Sequence, residues 1–102
     1  MCFIHVLLNA LEMKTDGYEA KIIIEGAATK LIPQLMKNEN PLHQLWEKAI
    51  AADLVEGVCM ACANKMGVLA AAKEQKLALL NNMSGHPSIA EYRQKRFKII
   101  TF

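Results

Sequence analysis

The chain has 102 residues, of which 53% are hydrophobic and 22% charged, with a formal net charge of +2. That is one globular domain with a single core, and it excludes a disordered tail or a nucleic-acid binder recognised by charge alone. Three cysteines, an odd and low count, exclude a disulfide-stapled secreted scaffold and fit a reducing cytoplasm.

The apolar opening "MCFIHVLLNALEM" has no basic leader, and His5, Asn9 and Glu12 interrupt it at i, i+4 and i+7. That spacing draws one polar stripe along an amphipathic helix, solvated or at a subunit contact. No run approaches the roughly 18–20 apolar residues that span a bilayer, so no membrane partner is expected. Gly17 stands where a helix stop belongs. "YEAKIII" reads as a strand, and the run Ile22–Ile24 is apolar enough for a parallel sheet covered on both faces. "AATKLIPQLMK" is a short helix that Pro33 either kinks or starts afresh.

Asn40-Pro41 marks the next helix start, with Leu42, Leu45, Trp46, Ala49 and Ile50 on one face. Trp46 is therefore core or interface. Leu54–Val58 is a second strand, ending at Cys59. Residues 60–66 form a short helix closed by Gly67, and "VLAAAKEQ" forms another. Leu77–Leu80 is a third strand. Ser88 and Glu91 have capping-box spacing for a helix over about 89–95, and "FKIITF" is a last strand. Strands alternating with helices predict one α/β domain over residues 1–102 with a mostly parallel sheet. Six methionines and an alanine-rich helix suit close packing against further copies of the chain.

The stretch "GVCMACANKMG" carries the chemistry. A cysteine ending a parallel strand before a helix lies on the sheet rim, where open α/β folds place their sites. The free amides of the following turn favour thiolate over thiol at Cys59, with Cys62 one turn on. This predicts one exposed, activated sulfur and a second within reach. Four readings compete. The pair could be small buried hydrophobes, a zinc clip, a dithiol, or a nucleophile that accepts and passes one sulfur atom. A zinc clip needs about four ligands; Cys2, His43 and His86 could complete a set, but their spacing does not argue for one. No metal and no cofactor are expected. A dithiol fits C-x-x-C before a helix, although the order of elements is not that of a thioredoxin domain.

The segments "GVCMACANKMGV", "MSGHPSIAEY" and "FKIITF", with "CFIHVLLNALEMKTDGYEAKIIIEGAATKLI" upstream, resemble the DsrE/DsrF-like family of small sulfur-relay proteins over nearly the whole chain. Cys59 matches the family's cysteine, and Gly67 and Val68 match its closing pair. The resemblance implies a persulfide on Cys59, passed from a donor protein to an acceptor protein. It also implies homo- or hetero-oligomers, commonly trimers or hexamers, with a homo-trimer or homo-hexamer expected here. It assigns no essential role to Cys62, which would resolve the persulfide into a disulfide or pack. Members open with a β-strand before the first helix, whereas this sequence begins directly at the helix. The expectation is a native start upstream of Met1, or a sheet that is gapped, refolded or completed by another subunit. The same resemblance implies a place for Cys2 on the rim with Cys59, as a second possible partnership.

His86, in "SGHPS", is expected near the rim, where it binds an anion or lowers a thiol pKa unless it only caps or hydrogen-bonds. Arg93, Lys95, Arg96 and Lys98 form a solvated helix face rather than an RNA site. The expected fold is an α/β three-layer sandwich with a mostly parallel sheet, flavodoxin-like and DsrE-like. The expected protein is a cytoplasmic sulfur carrier, sulfurtransferase-like rather than a turnover enzyme. Its rivals are an oligomeric binding module with packed cysteines and a Cys59/Cys62 redox switch.

Overall fold

A computed structural model describes residues 3–102, so Cys2 lies outside the described residues. Helix α1, Phe3–Thr15, buries Phe3, Leu7 and Ala10 and leaves His5, Asn9 and Glu12 exposed. Its polar stripe faces solvent, as the spacing requires. Strand β1 is Ile22–Ile24, the apolar run itself and shorter than the predicted strand "YEAKIII". A 3-10 turn over Gly26–Leu31 runs into helix α2, Ile32–Leu35, with Pro33 in its first turn. The proline therefore starts a fresh helix, where its missing N–H costs nothing.

Helix α3 is His43–Ala51. The Asn40 side-chain oxygen accepts from the Leu42 amide at 2.8 Å. Asn40 thus caps the turn leading into α3 rather than the helix itself. Strand β2, Val55–Cys59, passes directly into helix α4, Met60–Lys65. Helix α5 is Leu69–Glu74, strand β3 is Leu79–Leu80, and helix α6 is Ile89–Gln94. The Ser88 hydroxyl accepts from the Glu91 amide at 3.3 Å, which is half of the expected capping box.

The three strands form one parallel sheet in the order β1-β2-β3. The chain is a mixed α/β domain with β2 at its centre. β1 pairs directly with β2, with a register irregularity between Ile22 and Ile23. No gap divides them among the described residues. Gly57, Val58 and Cys59 are all buried, because β2 is covered on both faces where it reaches the rim. A Cβ on Gly57 would stand 2.6 Å from the Ala78 carbonyl oxygen, so only glycine lets the chain entering β3 come so close to β2. Leu7, Ile24, Ile32, Leu35, Trp46 and Val58 make the fully buried centre of the core.

Residues 97–102 form no strand, contrary to expectation. The Phe97 amide donates to the Tyr92 carbonyl at 3.0 Å, and the two rings meet edge-on at 6.2 Å. Beyond Phe97 the chain lines a groove of about 590 Å³ beside β1 and α1. Among the described residues, no backbone hydrogen bond ties 98–102 to a strand. Without a ladder, β-propensity alone does not make a strand. Arg93, Lys95, Arg96 and Lys98 are exposed, as a solvated face should be. Among the described residues, no helix is long and apolar enough to cross a membrane.

Glu56, on β2, joins the sheet to α6. The Tyr92 hydroxyl donates to it at 2.7 Å and the Lys21 ammonium at 3.1 Å. Burial opposes the charge on Glu56, but these two donors outweigh it and hold the carboxyl below its ordinary value of 4.5. A carboxyl depressed in the folded state adds stability above that ordinary value and loses it as pH falls through the folded one. Acid unfolding of the parent should therefore include a component below about pH 4.5 that Glu56→Gln lacks. Stability curves of parent and variant that run parallel from pH 6 to about pH 2 would refute this.

Candidate thiol site

Cys59 is the last residue of β2 and the N-cap of α4. Its sulfur replaces the usual oxygen cap and accepts from the Cys62 amide at 3.4 Å. On its other side stands His86, with Nδ1 at 3.1 Å from Sγ, and the Gly85 carbonyl is 3.9 Å away. The sulfurs of Cys59 and Cys62 and a ring nitrogen of His86 all lie within 4.8 Å of one another. These are groups that could hold a metal ion, although the spacing of the cysteines and histidines gave no reason to expect one.

A tight turn puts His86 there. Met83 and His86 exchange backbone hydrogen bonds of 2.8 and 2.9 Å. Between them, Ser84 and Gly85 have φ of 50° and 88°. Two successive left-handed residues are the signature of a type I′ turn, in which glycine is favoured at the second position. The turn docks on α4, because the Ala61 amide donates to the Gly85 carbonyl at 2.9 Å. A Cβ on Gly85 would stand 3.3 Å from the Ala61 Cβ. Asn82 donates to the Glu91 carboxylate, which anchors the loop to α6. Buried Pro87 follows His86.

The expectation of an exposed sulfur needs correction. Residue 59 is 0% exposed, while Cys62 and His86 are half-buried. The 81–88 loop is what sequence periodicity could not show: it closes over the strand end that would otherwise be open rim. Burial pushes the Cys59 thiol above its ordinary value and the Cys62 thiol adds to the rise; the amides of Cys62 and Ala61 pull the other way without offsetting it. The resting group is a guarded thiol, not a free thiolate. The other expected partners lie elsewhere. His43 Nδ1 contacts the Leu35 carbonyl at 2.8 Å and its Nε2 pairs with Glu47 at 3.4 Å, so it does not join the cluster. Cys2 is outside the described residues.

No family model matches the chain, and no solved structure matches it. It is 55% identical over 29 residues to an uncharacterized protein of Archaeoglobus fulgidus, a stretch covering 28% of this chain and 48% of that one. It is 40% identical over 96 residues to "Uncharacterized protein MJ0733" of Methanocaldococcus jannaschii, covering 94% of this chain and 76% of that one. Neither name states an activity. An identity of 40% over 94% of this chain is a whole-domain match, and the chain belongs to the family of the Methanocaldococcus jannaschii protein.

Proposed function

We propose that the protein is a small sulfur carrier in which Cys59 accepts a sulfur atom as a persulfide and hands it on. The observation that supports this is the 3.1 Å contact between Cys59 Sγ and His86 Nδ1. With its Nδ1 unprotonated, an imidazole at that distance is placed to accept the thiol proton as the sulfur attacks, which makes the thiolate, the reactive form, during the step. In loading, the thiolate attacks the outer sulfur of a donor persulfide. A bond forms to Cys59 Sγ, the donor's S–S bond breaks, and the donor leaves as a thiolate with the electron pair. An acceptor thiolate then attacks the outer sulfur, and Cys59 is the leaving thiolate. Because the 81–88 loop covers residue 59, each exchange requires that loop to lift.

The resemblance to DsrE/DsrF-like proteins extends the reading. It adds a flavodoxin-like three-layer arrangement, a cytoplasmic setting, donor and acceptor proteins as partners, and self-association into trimers or hexamers. Ile4 and Leu8, exposed on α1, are apolar surface available for that self-association. The full burial of residue 59 favours a second reading, an oligomeric binding module whose cysteines only pack. The nearness of Cys62 favours a third, a dithiol switch.

Incubation with inorganic polysulfide followed by mass spectrometry separates the three. The carrier gains the mass of one sulfur on Cys59, loses that gain in Cys59→Ser, and keeps it in Cys62→Ser. In His86→Ala, loading slows by about 100-fold, the scale of a missing general base. Loss of two hydrogens across Cys59 and Cys62 would replace the carrier with the switch. An unmodified protein would leave only the module.

A further inference from the structure

Two thiols and an imidazole converge on one point from two chain segments, β2–α4 and the 81–88 turn. Around a tetrahedral zinc ion, with Zn–S of about 2.3 Å and Zn–N of about 2.0–2.1 Å, neighbouring donor atoms stand roughly 3.6–3.8 Å apart. The sulfurs and the ring nitrogen here already lie within 4.8 Å of one another, and Cys59 Sγ and His86 Nδ1 are at 3.1 Å. Shifts on the order of 1 Å convert this cluster into zinc geometry.

Three independent features agree with an ion at that point. The Cys62 amide donates to Cys59 Sγ at 3.4 Å, the kind of contact that orients a metal thiolate and spreads its charge. The Ser84–Gly85 turn holds the histidine by a pair of backbone hydrogen bonds to Met83, so the closed loop presents the imidazole from an ordered turn. Burial is graded, with Cys59 sealed and Cys62 and His86 half-buried. An ion seated here would have protein behind it and an entry path in front.

We propose that Cys59, Cys62 and His86 hold one thiophilic divalent cation, zinc by the softness of the donor set, with a fourth position open to solvent or a small ligand. Two sulfurs and one imidazole nitrogen suit zinc over the oxygen-seeking ions calcium and magnesium. Three protein ligands with one vacant position is the pattern of reactive zinc sites rather than closed structural ones. Binding converts both thiols to thiolates and releases their protons. It also clips the 81–88 loop to the end of β2. This site does not depend on the sulfur-carrier reading, and its test uses no sulfur donor.

The test is an anaerobic titration of the chain with Co2+, in a Cys2→Ser background so that only Cys59 and Cys62 remain. The expected result is one equivalent of Co2+ bound, with thiolate-to-cobalt charge-transfer absorption in the near ultraviolet. Zn2+ should displace it and raise the thermal midpoint. His86→Ala and Cys62→Ser should each weaken Co2+ binding by about 100-fold or more while keeping the parent's circular dichroism, since losing a ligand costs at least what losing its supporting contact does. His86→Gln serves as a second variant at that position. Absence of the charge-transfer band up to millimolar Co2+ would overturn the site. So would undiminished binding in both His86 variants, because the ion would then be held by the cysteines without the third ligand.

Discussion

Trp46→Ala should lower the unfolding free energy by about 3–5 kcal/mol, the usual cost of removing a large buried aromatic side chain. Domains of this size carry about 5–15 kcal/mol in total, so the loss is a large share of the whole. Trp46 is 1% exposed and its ring stands 6.1 Å from that of Phe3, so truncation opens a void between α1 and α3. The indole also anchors a polar relay. Its N–H donates to the Gln75 side-chain oxygen at 2.9 Å, and the Gln75 amide donates to the Ile32 carbonyl at 2.9 Å. Through one side chain, α3 is tied to the end of α5 and to α2. Trp46→Phe keeps most of the packing but leaves the Gln75 oxygen without its donor. It should cost about 1 kcal/mol, the lower end of the penalty for an unsatisfied acceptor, because the Gln75 side chain is half-buried. Urea unfolding of the three proteins decides the matter. A loss below about 1 kcal/mol in Trp46→Ala would mean that the site collapses freely and that Trp46 is not the keystone of the core.

Trp46 was legible as core because it shares a helical face with Leu42, Leu45, Ala49 and Ile50, and hydrophobic periodicity is the strongest local signal a chain carries. The same is true of the β2–α4 junction. An apolar strand running into a C-x-x-C segment put Cys59 at a strand end, and the structure has it there. Strand lengths were less readable. β3 is only Leu79–Leu80, because a strand extends only as far as a partner offers a ladder, and β2 offers two registered positions, Val58 and Cys59. "FKIITF" failed as a strand for the same reason. Three helices end on left-handed residues other than glycine, at Asp53, Lys76 and Arg96, and no local residue preference announces such stops. What the sequence could not show was the cover over Cys59. His86 lies 27 positions away, and its approach depends on a turn docking against Ala61. That is a tertiary contact with no periodic signature.

This cover makes reactivity at Cys59 a property of the loop rather than of the cysteine alone. A reagent in solution reaches residue 59 only from states in which the 81–88 segment has lifted. The labelling rate therefore follows the population of those states when closing is faster than reaction. Any sulfur transfer at Cys59 would be governed by the same equilibrium.

Gly85→Ala should raise the rate of Cys59 labelling by an aromatic disulfide reagent about 5–30-fold. Gly85 has a φ of 88°, a region that costs a residue with a Cβ roughly 1–2 kcal/mol. The added carbon would also press on the Ala61 Cβ from 3.3 Å, at the point where the turn docks on α4. A penalty of one or two kcal/mol on the closed loop converts to that 5–30-fold rise in the open population. General destabilisation would also speed labelling, so Gly17→Ala is the control. Gly17 has the same φ of 88° but nothing within 4 Å of an added Cβ, and it lies at the end of α1, away from the thiol site. Each variant carries a similar backbone penalty, yet only the one in the turn should uncover the sulfur. Equal acceleration in both, read by mass spectrometry at Cys59, would show that the thiol is reached by unfolding of the whole domain. The loop would then be part of the core rather than a cover.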